Sequence, residues 1–360
     1  MKFYLFILLL TLTIISCDDS TNTFDPNNSK YVDVSIEQID YPNEFGTDYN
    51  IIDMHISEEK EFFLLTDLRF SVNGAENKIQ RSLDLELWTE LFKSDTIDAD
   101  RISSHQGSTF ISSDDGIWFN SGNGWKKIYD LKGEADKTIR TSGGNFFVPI
   151  NGIKVEGTDT STAFGYLFSS DNGETWEELL PWDYPIQDVI QVNPFLMVAI
   201  KNNEVIFSRN GGLEWTSALG LPFSDLNFIK LRALGDKIFY ISEEGFVYYS
   251  GTDPSRSDLT ALEAIYFIND NHFTEGRNVD EIYTTDVWEA FKHNDKIYFL
   301  DRFNGIFECS MDLNDVVLIE NLYPTIYDIE YLDNYLYYKG GSKLNRLNFS
   351  AYISEMKEKY

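Results

Sequence analysis

Four carboxylates, Asp53, Asp188, Glu289 and Asp328, fall at similar places in strand-like segments, each a short distance before a very apolar run. Two carboxyl groups on one wall are the side chains that hydrolyse a glycosidic bond, one as acid and one as base or nucleophile. Hydrogen-bonded carboxylates lining a channel give the same pattern, and the sequence favours that plainer role. Arg69, Arg277 and Arg302 lie in segments predicted to share one face, which leaves a guanidinium clamp on a carboxylate ligand open. Aromatics beside prolines accompany them, in Trp182-Asp183-Tyr184-Pro185 and Tyr323-Pro324. Exposed, Trp182, Tyr184 and Tyr323 can stack on a sugar ring or anchor a protein partner; buried, they cover the core between strands.

Other chemistry is poorly supplied. His55, His105, His272 and His293 have no metal-ligand spacing, and neither a D-x-D-x-D-G calcium loop nor a Gly-rich phosphate loop is present. No metal or cofactor is expected. Cys309, in the strand-like run Gly305–Ser310, reads as a buried structural thiol because no basic partner stands near it in sequence. With 29 basic and 59 acidic residues, the net charge of −30 argues against nucleic acid and against electrostatic docking on anionic lipid.

The N-terminus is built for export. Lys2 precedes the apolar run Phe3–Leu12, too short for a confident membrane span, and small and polar residues follow. Ile14-Ile15-Ser16-Cys17 resembles the bacterial lipobox, in which the cysteine becomes the lipidated first residue of the mature protein. Residues 1–16 are therefore expected to be a signal peptide, Cys17 the lipidation site and membrane anchor, and 17–30 a polar tether without an apolar period. Asp18-Asp19 resembles the acidic surface-export signal of Bacteroidetes lipoproteins, which implies an outer-membrane, surface-exposed location.

What must position any site is a repeat. Seven short apolar runs recur at propeller-blade spacing: Phe62–Leu65, Thr109–Ile111, Asn145–Val148, Phe195–Val198, Lys237–Tyr240, Lys296–Phe299 and Tyr335–Tyr338. A strand candidate precedes each, and a third strand follows and ends in a turn. The clearest turn is Ser169-Ser170-Asp171-Asn172-Gly173-Glu174-Thr175-Trp176, echoed by Ser208-Arg209-Asn210-Gly211-Gly212-Leu213-Glu214-Trp215. Ser and Asp can hydrogen-bond turn backbone, Gly can take positive φ, and Trp can anchor the returning strand. Seven four-stranded antiparallel units close radially into an all-β, seven-bladed β-propeller over residues 31–349. The seventh unit lacks an outer strand, which Tyr31–Ile36 is predicted to supply; 350–360 reads as a short C-terminal helix or tail.

The turn resembles the Asp-box, or BNR repeat, of sialidases, sortilin-type receptors, xyloglucan-active glycosidases and photosystem II assembly factor-like propellers. Ser169–Trp176 matches it fully and Ser208–Trp215 in part. The resemblance implies a structural role for Ser169, Asp171, Gly173, Trp176 and for Ser208, Asn210, Gly212, Trp215. It says little about activity, since these families differ; the Arg-Ile-Pro element of sialidases is absent. In such blades the boxes lie on the face of the 1–2 and 3–4 turns. The long insertions Leu65–Lys78, Asn151–Tyr166 and Asn269–Asp286 are predicted on the opposite face, where functional loops gather. The expectation is a non-catalytic, lipid-anchored propeller that binds a glycan or a protein through its insertion-rich face. A glycoside hydrolase is the first alternative and an assembly or chaperone-like factor for an envelope complex the second.

Overall fold

The structure is a computed structural model. It describes residues 36–40, 50–67, 76–113, 115–135, 138–141, 143–156, 158–179, 184–202, 204–218, 228–242, 247–252, 260–261, 287–301, 305–313, 316–320, 327–340 and 343–359. The signal and tether residues lie outside these.

The chain is a seven-bladed β-propeller of antiparallel sheets. The apolar runs recognised above fall in the second strands of the blades, Phe62–Asp67, Ser108–Ser113, Phe146–Glu156, Leu196–Lys201, Lys237–Ser242, Lys296–Asp301 and Tyr335–Gly340, except that Asn145 and Phe195 stand one residue before theirs. Their unbroken hydrophobicity has a geometric cause. Successive side chains of a strand point to opposite sheet faces, and here both faces are covered. Phe62 and Leu64 enter the core shared with blade 7, whereas Phe63 and Leu65 enter the core shared with blade 2. Seven hydrophobic clusters result, one at each junction between neighbouring blades.

The ring closes through the N-terminus. Ile36–Ile39 pairs antiparallel with the third strand of blade 7, Lys343–Asn348, with Ile36 opposite Leu347 and Ile39 opposite Leu344. Only Ile36 of the predicted segment is in this strand; residues 31–35 lie outside the described chain, and the pairing extends further toward Ile39. The helix Phe349–Lys359 follows, and its Phe349, Tyr352 and Ile353 bury against blades 6 and 7.

Blade 3 departs from its neighbours. Asn151–Tyr166, expected as a loop, is strand: Phe146–Glu156 and Asp159–Ser169 form one hairpin of two 11-residue strands. It holds because the innermost strand grows with it, Leu131–Ala135 pairing with Ile150–Lys154 and Ile139–Arg140 with Phe146 and Phe147. The β-branched and aromatic content of the stretch (Ile153, Val155, Thr160, Thr162, Phe164) suits a paired strand better than a loop.

The turns between third and fourth strands carry the box residues. In blade 3, Gly173 N–H donates to Ser169 Oγ at 2.8 Å, Ser169 Oγ donates to Asp171 Oδ1 at 2.8 Å, and Thr175 N–H donates to Asp171 at 2.9 Å. Trp176 Nε1 closes the turn on Gly173 O at 3.1 Å. Hydrogen bonds from Thr175 hold the Asp171 carboxyl at a pKa of about 2. Gly173 has φ +83°, and a Cβ there would lie 2.4 Å from the Phe119 ring of blade 2. Blade 4 repeats the arrangement through Ser208, Asn210, Gly212 and Trp215, with Trp215 Nε1 reaching Gly212 O at 2.8 Å. Blades 1 and 6 keep the hydroxyl–carboxylate pair, Ser82–Asp84 and Ser310–Asp312. There Leu85 and Leu313 replace the glycine at φ 68° and 63°, and both leucines bury their side chains.

Candidate functional site

The innermost strands line the channel, and six of them share one irregularity. A one-residue register shift, a β-bulge, falls between Ile51 and Asp53, Ala99 and Arg101, Ile186 and Asp188, Phe228 and Lys230, Val287 and Glu289, and Tyr327 and Ile329. A bulge re-aims the side chain that follows it. Those side chains are Asp53, Arg101, Asp188, Lys230, Glu289 and Ile329. Blades 1 and 2 contribute acid then base, and blades 4, 5 and 6 contribute acid, base and acid. Asp328 does not belong to this level: the register places it inside the bulge, one residue before Ile329.

These carboxylates join blades. Asp53 is fully buried and accepts the Ile102 N–H of blade 2 at 2.8 Å, with Arg101 Nη1 4.0 Å away. Asp188 repeats this across blades 4 and 5, accepting Leu231 N–H at 2.6 Å and Val189 N–H at 2.8 Å. Glu289 receives Arg232 Nε at 2.6 Å and Nη2 at 2.7 Å, Lys230 Nζ at 3.1 Å and Ala290 N–H at 2.9 Å. Arg232 also stands 3.7 Å from Asp188, so one guanidinium ties together blades 4, 5 and 6. Burial pushes the Glu289 carboxyl upward, but the Arg232 and Lys230 cations outweigh it and hold its pKa well below the usual carboxylate range. An acid catalyst needs the opposite shift, toward neutrality.

The basic partners Arg101, Lys230 and Arg232 did not stand out in the sequence. They occupy the same offset before the second strand as the carboxylates, or two residues beyond it on the same face. Aligning the seven innermost strands on that offset exposes them.

At the opposite end of the channel the histidines form a second set of inter-blade contacts. His55 Nε2 meets Ser104 O at 3.0 Å, His105 Nε2 meets Thr138 O at 2.6 Å, and His293 Nδ1 meets Tyr331 Oη at 2.5 Å. Each reaches from the end of one innermost strand to the next blade. The His55 and His105 rings come within 5.9 Å, a juxtaposition that their spacing of one blade conceals. Desolvation lowers the His105 pKa, partly countered by its bond to Thr138 O. Among the described residues, no group of three or more metal-ligating side chains occurs.

Of the candidate ligand-binding residues, Tyr184 alone is described. It is 49% exposed on the link from blade 3 to blade 4, the insertion face. Arg69, Trp182, Arg277, Arg302 and Tyr323 lie outside the described residues, as do Cys17, residues 68–75 of the first insertion and all of 269–286. On the same face Ile153, in the extended half of the blade 3 hairpin, is 46% exposed.

Neither a protein-family model nor a curated protein sequence matches the chain. Solved structures do. YCF48 bound to a D1 peptide superposes with a TM-score of 0.54 at 13% identity, over 87% of this chain and 99% of the other. YCF48 from Cyanidioschyzon merolae gives 0.55 at 10%, over 87% and 98%. The extracellular domain of BT4673 from B. thetaiotaomicron gives 0.54 at 9%, over 86% of this chain and 39% of that one. At these identities the likeness is one of fold.

Proposed function

We propose that this chain is a lipid-anchored, non-catalytic propeller that binds a protein partner in the cell envelope through its insertion face at blades 3 and 4. The observation that carries the reading is the break in seven-fold regularity. Blade 3 extends its second and third strands to 11 residues and carries Ile153 exposed on that extension, while the next link exposes Tyr184 on the same face. Isolated exposed hydrophobics are ordinary; two of them beside a rigid paired extension form an anchor of the kind that dominates protein interfaces. Asp53, Asp188 and Glu289 are engaged in inter-blade bonds, which supports a scaffold over a hydrolase. YCF48, similar in fold at 13% identity, has been solved bound to a D1 peptide, which supports a protein partner over a glycan. The turn residues Ser169–Trp176 and Ser208–Trp215 support grouping the chain with Asp-box propellers, and Cys17 is the proposed acylation site, placing the protein on the outer membrane facing outward.

A photo-crosslinking residue at position 153 or 184 tests this in cells. The expected outcome is a discrete protein adduct at both positions and none from position 90, on an outer strand. Glycan adducts in place of protein, or turnover of a glycan panel abolished by Asp188→Asn or Glu289→Gln in chains that remain folded, would replace this reading with the carbohydrate one. Anchoring is read separately: wild type incorporates labelled fatty acid and Cys17→Ala does not.

A further inference from the structure

The strand that closes the ring also fixes how the propeller is held. Third strands run from the insertion face to the box face. Lys343–Asn348 is a third strand, and Ile36 pairs with Leu347 near its box-face end while Ile39 pairs with Leu344 near the other. The chain therefore enters the ring from the box face. The helix Phe349–Lys359 departs from that face as well.

The apolar surface follows the same division. Among the described residues the most exposed large hydrophobics are Leu87 at 77%, Phe195 at 75% and Leu83 at 67%. All three sit on box-face turns, Leu83 and Leu87 between the third and fourth strands of blade 1 and Phe195 between the first and second strands of blade 4. Leu213, in the box turn of blade 4, joins them at 48%. Leu85 of the blade 1 turn points into the core, so the outward aim of Leu83 and Leu87 follows from local turn geometry. Blades 1 and 4 stand on nearly opposite sides of a seven-membered ring, so the four tips make two separated points of contact on one plane.

We infer that these tips meet a lipid bilayer, the propeller standing on its box face with the insertion face turned outward. The inference rests on the proposed anchor at Cys17. Nineteen residues from Cys17 through residue 35 precede the closing strand and span at most about 65 Å when extended. A connection that long restrains the protein near the membrane without choosing a face; the apolar tips choose it, inserting at the headgroup boundary. Charge sets the kind of bilayer. Asp84, Glu86 and Glu214 are exposed beside the apolar tips and Glu58, Glu59 and Glu174 on other box-face turns, against the exposed cations Lys60 and Arg209. A zwitterionic surface is therefore accepted more readily than an anionic one, which repels this face within a Debye length. This orientation leaves Ile153 and Tyr184 accessible to a partner arriving from outside.

The test couples the mature chain, beginning at Cys17, through that thiol to maleimide lipids in phosphatidylcholine vesicles; Cys309 is buried and does not compete. A clickable amino acid carrying an environment-sensitive fluorophore is placed in turn at 87, 195, 153 and 184, and nitroxide lipids serve as quenchers. Severalfold stronger quenching at 87 and 195 than at 153 and 184, reduced when phosphatidylserine is included, is the expected result. Equal quenching on both faces, quenching confined to 153 and 184, or none at any position overturns the inference. Because the coupling is chemical, the outcome is independent of acylation in the cell, which the fatty-acid labelling of Cys17 reports by itself.

Discussion

Replacing Arg232 by alanine tests whether the channel charges are inter-blade struts. Arg232 makes a two-point contact with Glu289 at 2.6 and 2.7 Å and stands 3.7 Å from Asp188. Removing one member of a fully buried ion pair costs about 3–5 kcal/mol, because the other charge is left without compensation. Two features lower that figure here. The Arg232 side chain is 30% exposed, and Lys230 still reaches Glu289 at 3.1 Å. The expected loss is about 2 kcal/mol, between the buried and surface limits. Urea denaturation at neutral pH measures it, and a cycle of Arg232→Met, Glu289→Leu and the Arg232→Met, Glu289→Leu double variant isolates the coupling. The double variant should lie near wild type, since apolar groups of similar volume replace a buried pair at little cost. The pH dependence gives a second reading. The folded pKa of Glu289 is depressed, so its contribution is fully present above the unfolded carboxylate value of about 4.3 and fades as pH falls through the folded value. The gap between wild type and R232A should therefore narrow on acidification below that point. A coupling under about 0.5 kcal/mol, the range of exposed pairs, or a gap independent of pH, would refute the strut reading.

Three further outcomes follow from the fold. Deleting residues 36–39 removes the outer strand of blade 7 and buried Ile39 from the core between blades 7 and 1, so the melting temperature should fall sharply; an unchanged transition would mean that the ring closes without it. Gly173→Ala combines φ +83° with a Cβ 2.4 Å from Phe119, whereas Gly122→Ala has φ +94° and open space. The first should cost at least about 1 kcal/mol more than the second in denaturant titrations, through overpacking, and equal losses would show that Phe119 yields freely. His105 has a pKa lowered first by desolvation, so its contribution is present above the unfolded value of about 6.5 and is lost as pH falls below it. His105→Gln should flatten the stability profile below about pH 6.5, and an unaltered slope there would assign the acid sensitivity to other groups.

The blade count was legible because each second strand carries a run of consecutive apolar residues, a pattern that two covered faces impose. The box turns were legible because Ser169, Asp171, Gly173 and Trp176 act over eight consecutive residues, so their hydrogen bonds are written locally. The long hairpin of blade 3 was misjudged because Gly152, Gly157 and Gly165 punctuate it like a loop. In the fold, Gly152 has no room for a Cβ beside the Lys132 carbonyl, 2.5 Å away, so a glycine that looks like a turn marks close strand approach. The ion ring was half visible. Asp53, Asp188 and Glu289 share an offset, but their partners come from a neighbouring blade, Arg101 and Arg232 from the one after Asp53 and Asp188, and Lys230 and Arg232 from the one before Glu289, and bulges shift them out of simple alternation. His55 and His105 are one blade apart in sequence and 5.9 Å apart in space, a relation that only ring closure creates.

The distribution of these features bears on where a partner can bind. Bulge carboxylates and cations join blades at one end of the channel, and histidine contacts to two backbone carbonyls and the Tyr331 hydroxyl join them at the other. Both are shared between neighbouring blades, so a ligand inserted between them would have to break bonds that maintain the ring. Recognition is therefore better placed outside the channel, on structure that the ring does not need. The outer half of the blade 3 hairpin fits that description. Lys154 and Ile153 pair with Leu131 and Lys132 rather than with another blade, and Ile153 contributes to none of the seven inter-blade cores. Polar replacement of Ile153 and Tyr184 should then abolish partner capture with a shift in stability within about 0.5 kcal/mol, the range of surface substitutions. A large loss of stability would instead show that the hairpin belongs to the core, and binding would have to be sought on another part of the face.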